Sequence, residues 1–420
     1  MAMGIQITTL DNGVRVVSDT VPTVESVSVG IWVNAGARHE AAPQNGIAHL
    51  LEHMVFKGTS RRSALDIARE IETVGGQMNA YTGREHTAFY AKVLKDDLPL
   101  ALDLLSDLVT GSVLDPAELA RERQVVIQEI GQATDTPDDL IFDMLQGLAF
   151  PDQPIGRPIL GTETTVQEMS RDDLLAYRGR HYGGRSMVVG AAGNLEHDAL
   201  VDLVHHWLGS TGATVDGGPD PGRFAGGLEP RPRDLEQVHV ALAFPSVSYH
   251  HPDHYAVSVL STLFGGGMSS RLFQEVREQR GLAYSIYTFA NVFTDTGILG
   301  LYVGTGAEMA GELAHVLVDE IGRLADTIEP LEVARAKAQL RAQMLFGLES
   351  MSARAEHLAA TTLMFGEPVP HTHLVERIEA VTEDDVARIA RTITAQKAAI
   401  SAIGPGSGLD ALGPLAALAA

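Results

Sequence analysis

The stretch Gly46-Ile-Ala-His-Leu-Leu-Glu-His-Met-Val-Phe-Lys-Gly-Thr59 sets two histidines, His49 and His53, four residues apart. On a helix that spacing stacks them one turn above the other, so both imidazoles can face a single ion, with Glu52 on nearly the same side. A zinc ion held there keeps a position open for water and lowers the pKa of that water, and Glu52 is placed to take its proton. The order His-x-x-Glu-His inverts the commoner His-Glu-x-x-His. The plain alternative is an amphipathic helix with two surface histidines, so a third ligand elsewhere in the chain decides between the readings.

Composition narrows the choice of ligand and partner. The chain has 420 residues, which at about 150 per domain suggests two or three domains. It contains no cysteine, so disulfides, thiol nucleophiles and thiolate metal sites are excluded, and His, Asp and Glu remain as ligands. Lys and Arg number 31 against 54 Asp and Glu, a formal charge of -23 that repels nucleic acid and anionic membrane and favours basic or neutral peptides. The first 20 residues hold Asp11 and Asp19 and no long apolar run, and no stretch of 18 apolar residues follows, so the expectation is a cytoplasmic protein without a membrane span.

Around the quoted stretch, Gly13 to Asp19 and Ser26 to Ala35 alternate β-branched residues as strands do. A helix from Ser63 to Val74 ends at Gly75-Gly76, and Asn79 to Val93 reads as a hairpin whose edge could receive a peptide. From Leu98 the pattern turns helical, with a capped start at Asp115-Pro-Ala-Glu and a run through Arg121 to Ile130. Glu122 and Glu129 lie seven apart on one face of that run, and either can be the missing ligand; Val125 and Val126 are expected to face a core. A Glu-rich helix face is also what solvent exposure alone produces.

Taken together, His49-Leu-Leu-Glu-His53, Phe56-Lys-Gly-Thr59, Gly75-Gly-x-x-Asn-Ala-x-Thr82, Glu85, Thr87, Tyr90 and Arg123-x-Val-Val-x-x-Glu-Ile130 resemble the inverzincin metallopeptidases. That family includes pitrilysin, insulin-degrading enzyme and the mitochondrial processing peptidase, and the resemblance is nearest to the catalytic beta-type processing subunit and its short bacterial homologues. The resemblance implies one zinc per chain on His49, His53 and Glu129, with Glu52 as general base and Glu122 as a carboxylate supporting a ligand. It implies that Asn79 and Ala80 pair with the substrate backbone. In Pro137-Asp-Asp-Leu-Ile-Phe-Asp143, the acidic pair Asp139 and Asp143 would be a pocket for a substrate arginine; acidic bias at a helix start is an equally good account.

Gly209 to Pro232 is rich in Gly and Pro and has no periodicity, which reads as a linker. Beyond it the chain repeats itself. Gln237 to Phe244 echoes Ser26 to Val33, Thr382 to Val386 echoes Ser170 to Leu174, and Lys397 to Gly404 echoes the buried strand beginning at Arg185, at offsets of 211, 212 and 212 residues. A constant offset of that length means two copies of one α+β domain, each a mainly antiparallel sheet with helices packed on it. The expected division is 1–210, a linker at 211–233, and 234–420.

The second copy carries no metal motif: where His49 would recur the chain reads Leu260-Ser-Thr-Leu-Phe264. Gly265-Gly-Gly lacks the Gly-Lys-Ser/Thr ending of a phosphate loop. The resemblance implies that Arg277 and Tyr284 complete the active site; without it they read as an exposed helix charge and a core aromatic. His250, His251 and His254 in a polar loop, and His205 with His206, read as surface histidines, and the tail after Gly404 as lightly docked.

The function implied is a zinc endopeptidase hydrolysing extended peptides, with the two domains forming half of a clamshell chamber that a homodimer, or a heterodimer with a homologous subunit, would close. The alternative is a non-catalytic partner or scaffold subunit, in which part of the zinc motif is typically lost.

Overall fold

The computed structural model describes residues 4–214 and 217–420, and the chain divides into two compact units. Val215 and Asp216, inside the expected linker, and Met1 to Met3 lie outside the described residues. The first unit comprises 1–131, 157–219 and 345–371, and the second 132–156, 220–344 and 372–420.

The first unit is built on a six-stranded sheet. Its strands are β1 (Ile5–Thr9), β2 (Arg15–Thr20), β3 (Ser26–Val33), β4 (Gln77–Thr82), β5 (Thr87–Leu94) and β6 (Met187–Gly193), in the order β1-β2-β6-β3-β5-β4. Only β2 and β6 run parallel; the other pairs are antiparallel. β3 lies at the centre and is covered on both faces, which is why it reads as an almost unbroken apolar run. Val27, Val29, Ile31 and Val33 join a core with Leu50, Leu51 and Met54 of the helix Ile47–Val55 and with Leu102 and Leu105 of the helix Leu98–Gly111. Trp32, on the other face, packs with Val17 and Val188 against Ala355, Leu358 and Ala359 of the helix Met351–Phe365. Glycine at 190 permits that approach, since a Cβ there would stand 2.9 Å from both the Ala355 carbonyl oxygen and the Ala359 methyl.

The second unit repeats the arrangement. β7 (Gly227–Pro232), β8 (Gln237–Ser246), β9 (Ala283–Val292), β10 (Gly297–Gly306) and β11 (Ala399–Gly404) take the order β7-β11-β8-β10-β9, with only the β7–β11 pair parallel. Strand for strand this is β2-β6-β3-β5-β4, so the repeat read from the offset is a repeat of topology. The helix Pro137–Ala149 buries Ile141, Leu145 and Ala149 on this sheet, against Ala241, Ile298 and Ala399.

Three expectations need correcting. Residues 227–232 of the expected linker form β7, an edge strand in which Pro230 and Pro232 are tolerated because an edge leaves one side of the ladder unpaired. A cut at 211–233 also assigns 132–156 to the first domain and 345–371 to the second, whereas each belongs to the other compact unit. The helices Pro137–Ala149 and Met351–Phe365 both follow a long helix, Pro116–Asp135 and Pro330–Gly347, so the same element of each copy is exchanged. The tail after Gly404 is firmly docked, with Leu409, Leu412 and Leu415 buried in the second core. Among the described residues no helix is long and apolar enough to cross a membrane.

Candidate metal centre

The helix Ile47–Val55 is held on one side by burial and at its start by charge. Ile47, Ala48, Leu50, Leu51, Met54 and Val55 are buried, which turns His49, Glu52 and His53 toward the opposite, half-open side. Gly46 precedes the helix at φ 95°, a conformation in which a side chain would be strained. The buried Glu40 carboxylate accepts hydrogen bonds from Gly46 N, Ala48 N and Asn45 Nδ2, at 2.8, 2.9 and 2.9 Å, and so satisfies one of the orphan N–H groups of the first turn, that of Ala48. Burial pushes the Glu40 carboxyl up to about 7 despite these bonds.

Glu122 and Glu129 reach the same place from the helix Pro116–Asp135. Glu129 Oε2 stands 3.7 Å from His49 Nε2 and 3.5 Å from His53 Nε2, and one ligand atom from each of the three residues lies within 4.8 Å of the others. Both separations exceed a hydrogen bond and lie close to the roughly 3.3 Å edge of a zinc ligand tetrahedron. Two imidazoles and a carboxylate are a donor set that suits zinc and leaves a fourth position open, so the residues present fit the ion. His53 Nδ1 is 3.1 Å from Glu122 Oε2, whose other oxygen accepts from Lys57 Nζ at 2.8 Å; donation from Nδ1 leaves Nε2 as the ligand nitrogen. His49 lacks such support, since its buried Nδ1 finds no hydrogen-bond partner among the described residues. Burial, then the neighbouring His53, lowers the His49 pKa to about 4, which keeps it in the neutral, ligating form.

Glu52 is largely buried and accepts a 2.6 Å hydrogen bond from Thr82 Oγ1 at the end of β4. Burial raises its pKa; the Thr82 bond and the His53 charge oppose this, and Glu129 adds to it. β4 is the edge strand beside β5, with Asn79 exposed and Ala80 buried. The Ala80 N–H is occupied by the Asn79 side-chain oxygen at 2.9 Å.

The structure thus brings together His49, Glu52, His53, Glu122 and Glu129, with β4 tied on through Thr82. Val125, expected in a core, is 38% exposed; Val126 is buried. Asp139, Asp143, Arg277 and Tyr284 belong to the second unit. Asp139 is exposed and Asp143 half-buried on the helix Pro137–Ala149. The Arg277 guanidinium lies 4.3 Å from the centre of the Tyr284 ring, a cation–π contact, and Tyr284 is 76% exposed where residue type alone suggested a core aromatic. Arg277 sits in a π-helical turn, Phe273–Gln279, a rare geometry often found at functional sites. His254 opens a helix, His254–Gly265, instead of lying in a loop.

Three supporting residues escape the sequence reading. Lys57 and Thr82 stand inside the motifs without a role, and Glu40 stands outside them; an acidic residue six positions before the Gly46 that opens the helix was the available signal.

A sequence profile described as Insulinase (Peptidase family M16) matches residues 15–163, and one described as Peptidase M16 inactive domain matches residues 168–340. An uncharacterized zinc protease of Streptomyces coelicolor is 39% identical over 408 residues, spanning 95% of this chain and 89% of its own. One of Mycobacterium tuberculosis is 40% identical over 405 residues, spanning 95% and 92%. Among solved structures, a protease from Helicobacter pylori matches with a TM-score of 0.88 over 96% of this chain and 99% of its own, at 22% identity, a likeness of fold.

Proposed function

Because the chain belongs to the insulinase family of peptidases, we propose that it is a zinc endopeptidase with the metal on His49, His53 and Glu129 and with Glu52 as the base. The observation that carries this reading is the convergence of the two imidazoles on Glu129 beside a carboxylate that is not itself part of the ligand group. When bound, zinc supplies a Lewis acid that acidifies a water and polarises a carbonyl oxygen.

The chain's own residues do the rest. Glu52 accepts the proton shed by the attacking water and returns it to the leaving amine. Thr82, donating to Oε2, aims that carboxylate and leaves Oε1 for the proton. Glu122 fixes the His53 ring, and Lys57 holds Glu122. β4 offers a free strand edge beside Glu52, where an incoming peptide carbonyl replaces the Asn79 oxygen on the Ala80 N–H and lays the substrate out as an added strand.

The acidic chain suits basic or neutral peptides. Asp139 with Asp143 is the proposed seat for a substrate arginine, and Arg277 with Tyr284 the proposed completion of the site, from the same chain or from a second chain that closes the chamber. A non-catalytic scaffold has no use for a largely buried Glu52 held by Thr82 next to an intact ligand group, which favours the enzyme. Metal analysis and cleavage of a quenched basic peptide test the reading. Glu52→Gln should retain about one zinc per chain and lose roughly 10²- to 10⁴-fold in turnover; hydrolysis at the wild-type rate would sink the mechanism.

A further inference from the structure

A cavity of about 350 Å³ opens in the first unit between the helix Arg171–His181 and the segment that follows the helix His197–Leu208. Arg178 and Trp207 line it together with the hydroxyl-bearing residues Thr110, Ser210 and Thr211, and among the described residues no carboxylate lines it. Arg178 Nη1 is spent on Ser112, donating to its carbonyl oxygen and its hydroxyl at 2.7 Å each. Nε and Nη2 make no hydrogen bond among the described residues and are not sealed from solvent. These two nitrogens form the edge of a guanidinium that binds carboxylates and phosphates in bidentate fashion.

The surroundings make the arginine costly as it stands. It is half-buried and has no acidic partner among the described residues, and after burial the strongest influence on it is the charge of another cation, Arg171, which is itself spent on the main-chain carbonyls of Val113 and Leu114. Buried charges are ordinarily paired. Although the chain carries a net charge of -23, this half-buried guanidinium has no carboxylate beside it among the described residues. Trp207 supplies a flat wall, itself backed by Arg61, whose guanidinium lies 4.8 Å from the ring centre.

We propose that this cavity is a binding site for a small oxyanion, its oxygens on Arg178 Nε and Nη2 and its body against the Trp207 ring. The cavity shares no residue with the metal group, so the proposal stands independently of the peptidase mechanism.

Two probes, benzoate and inorganic phosphate, titrated into the full chain test it. The chain has two tryptophans and Trp32 is buried, so a saturable change in emission that vanishes in Trp207→Phe reports this cavity. Arg178→Gln should weaken binding roughly tenfold or more. Since Arg178 also holds Ser112, a second variant avoids that contact: a side chain at Gly179, another lining residue, meets nothing within 4 Å. Gly179→Asp should therefore fold normally, keep wild-type peptide hydrolysis and abolish binding of either anion by placing a carboxylate at the arginine. Saturation by benzoate alone identifies a carboxylate site and by phosphate alone a phosphate site. Absence of saturable binding of both, or wild-type binding in Arg178→Gln and Gly179→Asp, overturns the proposal.

Discussion

Replacing Thr82 by Val removes the hydroxyl that reaches Glu52 and leaves a β-branched residue of similar shape at the end of β4. The lost contact is a 2.6 Å bond from a neutral donor to a largely buried carboxylate, a class worth about 1.5–3 kcal/mol. That stabilisation belongs to the ionised form of Glu52, the form that accepts the proton. Burial already disfavours ionisation, and among the influences opposing it the Thr82 bond comes first. Without it Glu52 protonates more readily, so the loss of activity is greatest on the acid side and shrinks as the pH rises. On the acid limb of the profile, kcat/KM should fall roughly 10- to 100-fold, and at alkaline pH the variant should approach wild type. The assay is the pH dependence of kcat/KM on a quenched peptide, alongside metal content, which stays unchanged because Thr82 touches none of the three ligands. A uniform loss at every pH would show that Thr82 serves the strand and not the base, and an unaltered profile would remove it from the mechanism.

Other perturbations separate the remaining roles. Replacing Asp139 and Asp143 together by Asn should slow cleavage of substrates with arginine near the scissile bond more than of neutral ones, and equal losses on both would assign the pair to structure. Glu40 titrates near 7 in the folded chain against an ordinary 4.5, so the folded state holds this proton more tightly than the unfolded one. The associated stability is fully present below about 4.5 and lost as pH rises through 7, an amount of about 3 kcal/mol. Melts of wild type between pH 4.5 and 8 should therefore fall more steeply than those of Glu40→Gln, and parallel curves would refute the assignment. If sedimentation shows a homodimer, Glu52→Gln and Arg277→Ala chains, each nearly inactive, should regain activity when their subunits exchange. A catalytically competent monomer, or no recovery in a dimer proven to exchange, would rule out a site shared between chains.

What could be read from residues alone tracks how local the information is. His49, Glu52 and His53 were legible because a helix brings positions three and four apart together without help from the rest of the chain. Glu129 was not separable from Glu122 by spacing, since both share the face; the family pattern made that choice and the distances to the two imidazoles agree with it. Thr82 and Glu40 were out of reach because their contacts depend on where β4 and the 36–45 loop come to rest. The repeat predicted two like sheets, and the sheet orders match. The apolar stripe Ile141, Leu145, Ala149 announced a packed helix but carried no label for the sheet it packs on, which hid the exchange. Glycine and prolines masked β7, and in the tail the three-residue spacing of Leu409, Leu412 and Leu415 was the overlooked sign of docking.

The exchange of helices also sets a timetable for synthesis. When residue 210 leaves the ribosome, all six strands of the first sheet exist, yet the face bearing Val17, Trp32 and Val188 has no cover, because Ala355, Leu358 and Ala359 are still unmade. At about 5–20 residues per second, the helix ending at Phe365 follows roughly 8 to 30 seconds later. For that interval the nascent chain presents a wet apolar sheet face, a surface that chaperones recognise and neighbouring chains can misuse. The second sheet has the opposite experience, for its exchanged helix Pro137–Ala149 is made before any of its strands and waits for them.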